Sequence, residues 1–391
     1  MRAVFTCIQG YGHFHPMVPL AAALRRAGHE VAFSTAERFC PRIEQAGFPA
    51  FPSGWDLGLV YEQTLRLPDA VAAQPDPWAF GAHMFAGVAA PAKAPELTEV
   101  VLTWSADVVV HDATDFAGPI AAAANGIPYA SHSFGALPPE RFSTLAGDLA
   151  APAWRSAEME PEPLGGMFRH LYLDICPPSF QAGHIEEVPV ARRLRPVPFD
   201  EIPGSGLPRW LPTLPPRPTV YATMGTVHND SPVVFEAILA GLGDEPINLI
   251  VTVGHNRDPA DLGPRPPNVH VERYIPQSLL FPSCDVVVTH GGSGTTLAAL
   301  AHGLPLLVLP QGANQFWNAE RCVELGVGSR LQPAEVTPEA VRQQVRVLLE
   351  DPEYRRRAGW IQHEIEQMPA PESTVALVEQ LARDGRLVTA P

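Results

Sequence analysis

One lysine, Lys93, serves the whole chain of 391 residues. A phosphate loop of the Walker type closes on Gly-Lys-Ser/Thr, and no glycine-rich turn here holds a lysine, so that reading is excluded. Basic charge is scarce in general. Lys and Arg number 27 against 42 Asp and Glu, giving a net charge of −15 and a pI of about 5.4. No positive field is available for a nucleic-acid backbone or an anionic membrane surface, and neither partner is expected. Long apolar runs are missing too: none approaches the roughly twenty residues of a spanning helix, so no membrane insertion is expected. The N-terminus opens on a short strand pattern, Met1 to Phe5, in place of a charged segment with a long apolar one after it. No signal peptide is expected. Five cysteines, Cys7, Cys40, Cys176, Cys284 and Cys322, include no Cys-x-x-Cys pair, and the odd count argues against a disulfide framework. A reducing, cytoplasmic setting fits best. No Asp-x-Asp pair or His/Asp cluster marks a metal site, and no repeat of solenoid length is present.

What is there exceeds one typical domain and suggests two, with three as the alternative. Hydrophobic residues make up 46%, enough for large cores, while 44 prolines and 31 glycines punctuate strands and loops throughout. The most informative stretch runs from Tyr274 to Asn318. An apolar run, Val286 to Val288, stops at Thr289-His290-Gly291-Gly292-Ser293-Gly294-Thr295, a helical pattern follows to Gly303-Leu304-Pro305, and a second apolar run spans Leu306 to Leu309. This is strand, glycine-rich turn, helix, strand. Glycines let the backbone approach a ligand, and the free amides and positive end of the following helix suit a phosphate. A dinucleotide fingerprint fits poorly. Its third small position is Leu297, and no acid lies between Val308 and Asn314 where one is needed.

The chain opens with the same grammar. Ala3 to Ile8 reads as a buried strand, Gln9 to Pro16 as a turn, Met17 to Ala27 as a helix closed by Gly28, and His29 to Phe33 as the next strand. Two histidines, His13 and His15, stand in that first turn, outside the carboxyl end of the strand, where open α/β sheets place ligands. An imidazole there has the proton affinity of a general base. Asp107 to Asp112 is another strand, and its end delivers Asp112 to the ligand side. An aspartate there can accept the second N–H of a catalytic histidine, and Asp112, Thr114 and Asp115 are equally able to cap the helix that follows.

These elements together resemble the nucleotide-sugar-dependent inverting glycosyltransferases of the GT-B fold, family 1 type, and within them the bacterial enzymes that decorate antibiotics and other natural products. The resemblance rests on Tyr274-Ile275-Pro276-Gln277, His290-Gly291-Gly292-x-Gly294-Thr295, Gly303-x-Pro305, and Pro310 with Asn314-Gln315 and Asn318-Ala319, in the family's order and spacing. It implies two doubly wound, Rossmann-like α/β domains facing each other across a cleft. The expected division is an acceptor-binding domain over 1–199, a proline-rich linker over 200–217, a nucleotide-sugar domain over 218–371 and a C-terminal helix, 372–391, crossing back to the first domain. The family's catalytic histidine stands three residues before a proline, which selects His13, and its orienting aspartate matches Asp112. For the donor, the resemblance implies Gly225 and Thr226 beneath the phosphates and Tyr274, Ile275 and Gln277 at the base and ribose. It further implies His290, Gly292, Ser293, Gly294 and Thr295 at the pyrophosphate and Asn314 and Gln315 at sugar hydroxyls. For a lipophilic acceptor, the candidates are Trp55, Trp78, Phe80, Phe85 and Phe134.

The co-substrate implied is a TDP- or UDP-sugar, used without a metal or other cofactor, and a homodimer is compatible with the sequence. Three departures from the plant pattern shift the expectation towards bacterial enzymes using thymidine-diphosphate deoxysugars: Tyr274 replaces tryptophan, Ala298 replaces a ribose-binding glutamate, and Asn314-Gln315 replaces Asp-Gln. Two rivals are another nucleotide-sugar enzyme of this fold, an epimerase or a lipid-precursor transferase, and a non-catalytic helper. The absence of a basic or amphipathic membrane-facing stretch near residues 60 to 90 counts against a lipid-precursor transferase. Retention of His13, Asp112 and the His290 to Thr295 turn counts against the helper.

Overall fold

Strands rich in Val, Ile and Ala without polar alternation are buried on both faces, the mark of parallel sheets covered by helices on each side. In the computed structural model, which describes residues 1–181, 185–200, 206–225, 232–254 and 257–385, such strands form two separate parallel sheets. The first has the order β3-β2-β1-β4-β5-β6-β7, built from β1 (Arg2–Thr6), β2 (Glu30–Thr35), β3 (Ala50–Pro52), β4 (Val108–Asp112), β5 (Tyr129–His132), β6 (Leu171–Asp174) and β7 (Ala191–Arg193). The second has the order β10-β9-β8-β11-β12-β13. Its strands are β8 (Thr219–Thr223), β9 (Asn248–Thr252), β10 (Val269–Glu272), β11 (Val286–Thr289), β12 (Leu306–Val308) and β13 (Gly328–Arg330). Every strand pair is parallel. Each sheet is thus doubly wound and reverses direction at one place, between β1 and β4 in the first and between β8 and β11 in the second. Ligands of open α/β sheets bind beyond the strand ends at such reversals.

In the first unit, β1 runs into one helical turn, α1 (Tyr11–Phe14), and then α2 (Val18–Arg26). Helix α3 (Ala90–Trp104) precedes β4, α4 (Ala117–Ala124) follows it, and α5 (Glu140–Ser156) covers them. Leu97, Val109, Ile120, Tyr129 and Trp154 form the core between these helices and the sheet. The stretch from Gly54 to Pro95, weak in strand signals, is helical: Leu57–Thr64, Pro68–Ala73, Pro77–Ala82 and a π-helical stretch, His83–Ala89, that leads into α3. In the second unit, α6 (Pro232–Leu242), α7 (Ser293–Ala301) and α8 (Gln315–Glu324) follow β8, β11 and β12. Its core gathers Val220, Phe235, Leu249, Val288, Leu307 and Val345.

The units divide as 1–176, 181–197 and 368–391 against 177–180 and 198–367. The described part of the proline-rich segment 200–217 belongs to the second unit, for reasons visible in its contacts. Trp210 stacks on His270 at 4.0 Å and donates its indole N–H to Glu272 at 2.9 Å. Asn248 donates its amide to the carbonyls of Pro215 and Arg217. The last described helix, α9 (Pro371–Asp384), belongs to the first unit. It pairs with α2 and with the turn leading into β2 through Arg26 with Glu372 and His29 with Glu379. Among the described residues no helix is long and apolar enough to cross a membrane. All five cysteines are free and buried.

Candidate active site

The turn after β1 carries His13 on α1, whose two sides have opposite fates. Phe14 is 1% exposed and packs against Phe33 and Phe39. That anchor turns the neighbouring His13 outward, its side chain one-fifth exposed. Phe5 of β1 lies in register with Val110 of β4, and Thr6 with His111, so Asp112 arrives one residue beyond the end of β1, level with the turn. There His13 Nδ1 lies 2.7 Å from Asp112 Oδ2. A carboxylate can only accept, so Nδ1–H donates and Nε2 is left with a free lone pair. Thr114 completes the arrangement: its hydroxyl donates to the same Asp112 oxygen at 2.9 Å, and its backbone N–H donates to Oδ1 at 3.2 Å.

Electrostatics separate His13 from its neighbours. Burial pulls its pKa down and is outweighed by the charge of Asp112, by their hydrogen bond and by Asp115, so the imidazole stays above its ordinary 6.5. For Asp112 burial again opposes charge, but His13 and Thr114 hold the carboxyl below its ordinary 3.8. His111 and His132, at the ends of β4 and β5, go the other way. Burial lowers both, His132 to about 4, and each donates Nδ1–H to a backbone carbonyl. Of the three imidazoles facing Asp112, only His13 is both basic and accessible. His15 turns its ring to Tyr11, at 5.0 Å between centroids.

The five candidate aromatics part company. Phe134 and Phe85 stand 5.0 and 6.0 Å from the His13 ring, Phe85 projecting from the π-helical stretch, a distortion that often serves function. Trp55, 45% exposed, lines a cavity with Ile8, Gln9, Leu57 and Lys93. Trp78 packs edge-on against the buried Phe142, and Phe80 against Tyr61. These two therefore hold helices together.

In the second unit, the ends of β8 and β11 bring Gly225 against His290. Gly225 has φ 73°, and a Cβ there would stand 2.4 Å from His290 Cε1; one at Gly292 would stand 2.5 Å from Nε2. The ring therefore lies between two backbones that only glycine keeps far enough away. Gly292 is the N-cap of α7, whose first intrahelical bond runs from Thr296 N–H to the Gly292 carbonyl. The amides of Ser293, Gly294 and Thr295 precede it and have no helical acceptor. A Cβ on Gly294 would meet nothing within 4 Å. Ser293 Oγ accepts from Asn314 at 2.9 Å and Asn318 at 3.3 Å, tying α8 to the turn. Gln277 reaches Tyr221 and Thr295. Ile275 is 1% exposed and belongs to the core. Tyr274 donates its hydroxyl to the Asp200 carbonyl at 2.7 Å, and the Asp200 carboxylate accepts from Ser278 N–H and Oγ–H, both at 2.6 Å. Gln315 is turned inward: its Oε1 accepts the amides of Gln311 and Gly312 and shapes the loop. Thr226 lies outside the described residues.

Sequence reasoning left out Asn318 as a donor-side brace, Asp200 as the clamp on Tyr274 and Ser278, and Thr114 as a partner of Asp112. The family pattern ending on Asn318-Ala319 and the spacing of Thr114 and Asp112 in a strand-to-helix turn are the sequence signals among them.

Comparison with known proteins decides the family. The erythromycin biosynthesis protein CIII-like models match here, the N-terminal domain over residues 79–225 and the C-terminal domain over residues 236–381. The L-demethylnoviosyl transferase of Streptomyces niveus is 33% identical over 342 residues, 85% of each chain. The 10-deoxymethynolide desosaminyltransferase of Streptomyces venezuelae is 30% identical over 99% of this chain and 98% of its own. The chain belongs to the erythromycin biosynthesis protein CIII-like family.

Solved members of this type superpose along the whole chain. The glycosyltransferase VinC, in complex with dTDP, gives a TM-score of 0.83 at 27% identity over 98% of this chain and 100% of its own. SnogD from Streptomyces nogalater gives 0.78 at 29%, over 98% and 99%. As a CIII-like protein with two Rossmann-like sheets, the chain is a nucleotide-sugar-dependent glycosyltransferase of the bacterial natural-product type, GT-B in fold class.

Proposed function

We propose that this CIII-like glycosyltransferase moves a deoxysugar from a TDP-sugar to a hydroxyl of a lipophilic natural-product aglycone, with inversion at the anomeric carbon. The observation that carries the mechanism is the 2.7 Å contact between His13 Nδ1 and Asp112 Oδ2, which leaves Nε2 as the base. His13 Nε2 takes the acceptor O–H proton as that oxygen bonds to the anomeric carbon, and the bond from that carbon to the diphosphate breaks. Asp112 stays ionised and stabilises the imidazolium. Phe134 and Phe85, flanking His13, offer the acceptor an apolar wall.

The departing diphosphate gains one negative charge as that bond breaks. On this reading it meets the free amides of Ser293, Gly294 and Thr295 at the positive end of α7, with His290 donating from its seat between Gly225 and Gly292. Tyr274, Ile275 and Gln277 hold the nucleoside, and Asn314 a sugar hydroxyl. Gln315 acts through the loop it shapes. Thymine as the base and a deoxysugar as cargo are supported by the dTDP complex of VinC and by the desosaminyl and 2-deoxy-L-fucose transferases among the relatives. The chemistry of the turn asks for no divalent cation.

The test is turnover of TDP-deoxysugar with a panel of polyketide and aromatic aglycones, comparing wild type with His13→Gln. Product with the opposite anomeric configuration to the donor, and a loss of about a hundredfold or more in the variant with unchanged TDP affinity, are expected. Unchanged turnover in His13→Gln contradicts the reading.

A further inference from the structure

The chain's single lysine is 4% exposed, although lysine is a surface residue almost everywhere. Lys93 projects from α3, its stem pressed so closely on Gly54 that a methyl group there would stand 2.8 Å from Lys93 Cβ. Its ammonium donates to the carbonyl of Cys7 at 2.8 Å and to Asp115 Oδ2 at 2.6 Å. Cys7 is the first residue past β1, where the turn carrying His13 begins. Asp115 closes the turn after β4: its N–H donates to the Asp112 carbonyl at 2.8 Å, and its Oδ2 also accepts from Thr6 at 2.7 Å. One charged head therefore ties together the two strand ends that carry His13 and Asp112. An arginine could not replace it, because a planar fork does not fit between a single carbonyl and a single carboxylate oxygen as a compact ammonium does.

We propose that Lys93 is a positioning residue: bridging Cys7 and Asp115, it sets the approach of His13 to Asp112 and tunes the proton affinity of the pair. The charged groups facing His13 are Asp112 and Asp115 from the β4 turn and Lys93 from α3, with the buried His111 and His132 close to Asp112 on β4 and β5. Lys93 opposes the two aspartates, drawing the His13 pKa down while they raise it. The catalytic part of this inference rests on His13 being the base; the positional part does not.

The experiment titrates the His13 imidazole by NMR in the intact protein, its resonance assigned with His13→Gln, and measures kcat, KM and their pH profiles alongside. Lys93→Met removes the cation that opposes Asp112 and Asp115, so the His13 midpoint and the acidic limb of kcat/KM both move to higher pH. Lys93→Met with Asp115→Asn removes both charges and melts near wild type. In it the His13 midpoint falls back while kcat stays down about tenfold or more, because the bridge is still broken. Lys93→Arg keeps the charge, folds, and loses kcat with little change in KM. A wild-type His13 midpoint and wild-type kcat in both Lys93→Arg and the double variant would overturn the proposal, leaving Lys93 as a mere counter-charge. If Lys93→Met moves the His13 midpoint but His13→Gln turns over normally, the base reading fails and the positional one stands.

Discussion

Asp112 acts on His13 twice, through geometry and through charge, and substitution separates the two. In Asp112→Asn the amide cannot stabilise an imidazolium, and burial is left as the dominant influence on His13. Its pKa then falls, so the acidic limb of kcat/KM moves to lower pH while kcat drops by about a hundredfold or more. In wild type the limb lies above 6.5, since the base must be neutral and Asp112 holds it protonated longer. The same pair leaves a mark on stability. A raised histidine pKa stabilises the fold fully below 6.5, and the contribution is lost as pH rises through the folded value. A lowered carboxyl pKa stabilises above 3.8, and is lost as pH falls through the folded value. The difference in melting temperature between wild type and His13→Gln should therefore be largest between those two pH values and shrink above them. A flat difference across that range would remove the ion pair from the account. At this scale the sequence pointed to His13 and Asp112 because one stands in the turn after a strand and the other ends a strand, the places where open α/β sheets hold ligands. Choosing His13 over His15 needed the family pattern. Lys93 and Asp115 were illegible, since only the fold brings residues so far apart in sequence within 2.6 Å.

The glycine-rich turn makes its case one element up. Gly225, Gly291 and Gly292 are demanded by sterics, while Gly294 lies in open space at the first turn of α7. Their alanine variants should behave differently. Gly225→Ala combines a positive φ with a collision with His290, so it should destabilise by about 1–3 kcal/mol and weaken diphosphate binding, both readable in one thermal-shift series. Gly294→Ala should leave the free protein as stable or slightly more so, since alanine is the better helix residue, yet still weaken TDP, because its methyl occupies the phosphate approach. Equal TDP affinity in Gly294→Ala and wild type would place the diphosphate elsewhere. This βαβ unit was legible almost residue by residue from its apolar runs and glycines. The helices between residues 57 and 89 were not. Their helical faces are interrupted by Pro68, Pro77 and the π turn, and small apolar residues carry no clear period.

For the whole molecule, two sheets with matching reversal points explain why one chain carries two chemistries. The first places His13 in the turn after β1 and Asp112 at the end of β4, the base and its partner on the proposed reading; the second places Gly225 after β8 and, after β11, the turn proposed to hold the phosphates. The two-domain organisation followed from length and from the recurrence of strand-turn-helix grammar. The place of residues 200–217 did not, because a proline-rich stretch reads as a linker until Trp210 is seen stacked on His270. A net charge of −15 means that an anionic donor gains nothing from the general field and, on the proposed reading, depends on the local amides and dipole of α7. Its affinity should therefore change little with moderate salt. The most direct measurement is calorimetric titration of the full chain with TDP and with UDP in the presence of EDTA. Binding without metal, tighter for TDP than for UDP, is expected. Binding of neither, or of TDP only after magnesium is restored, would contradict the proposed reading.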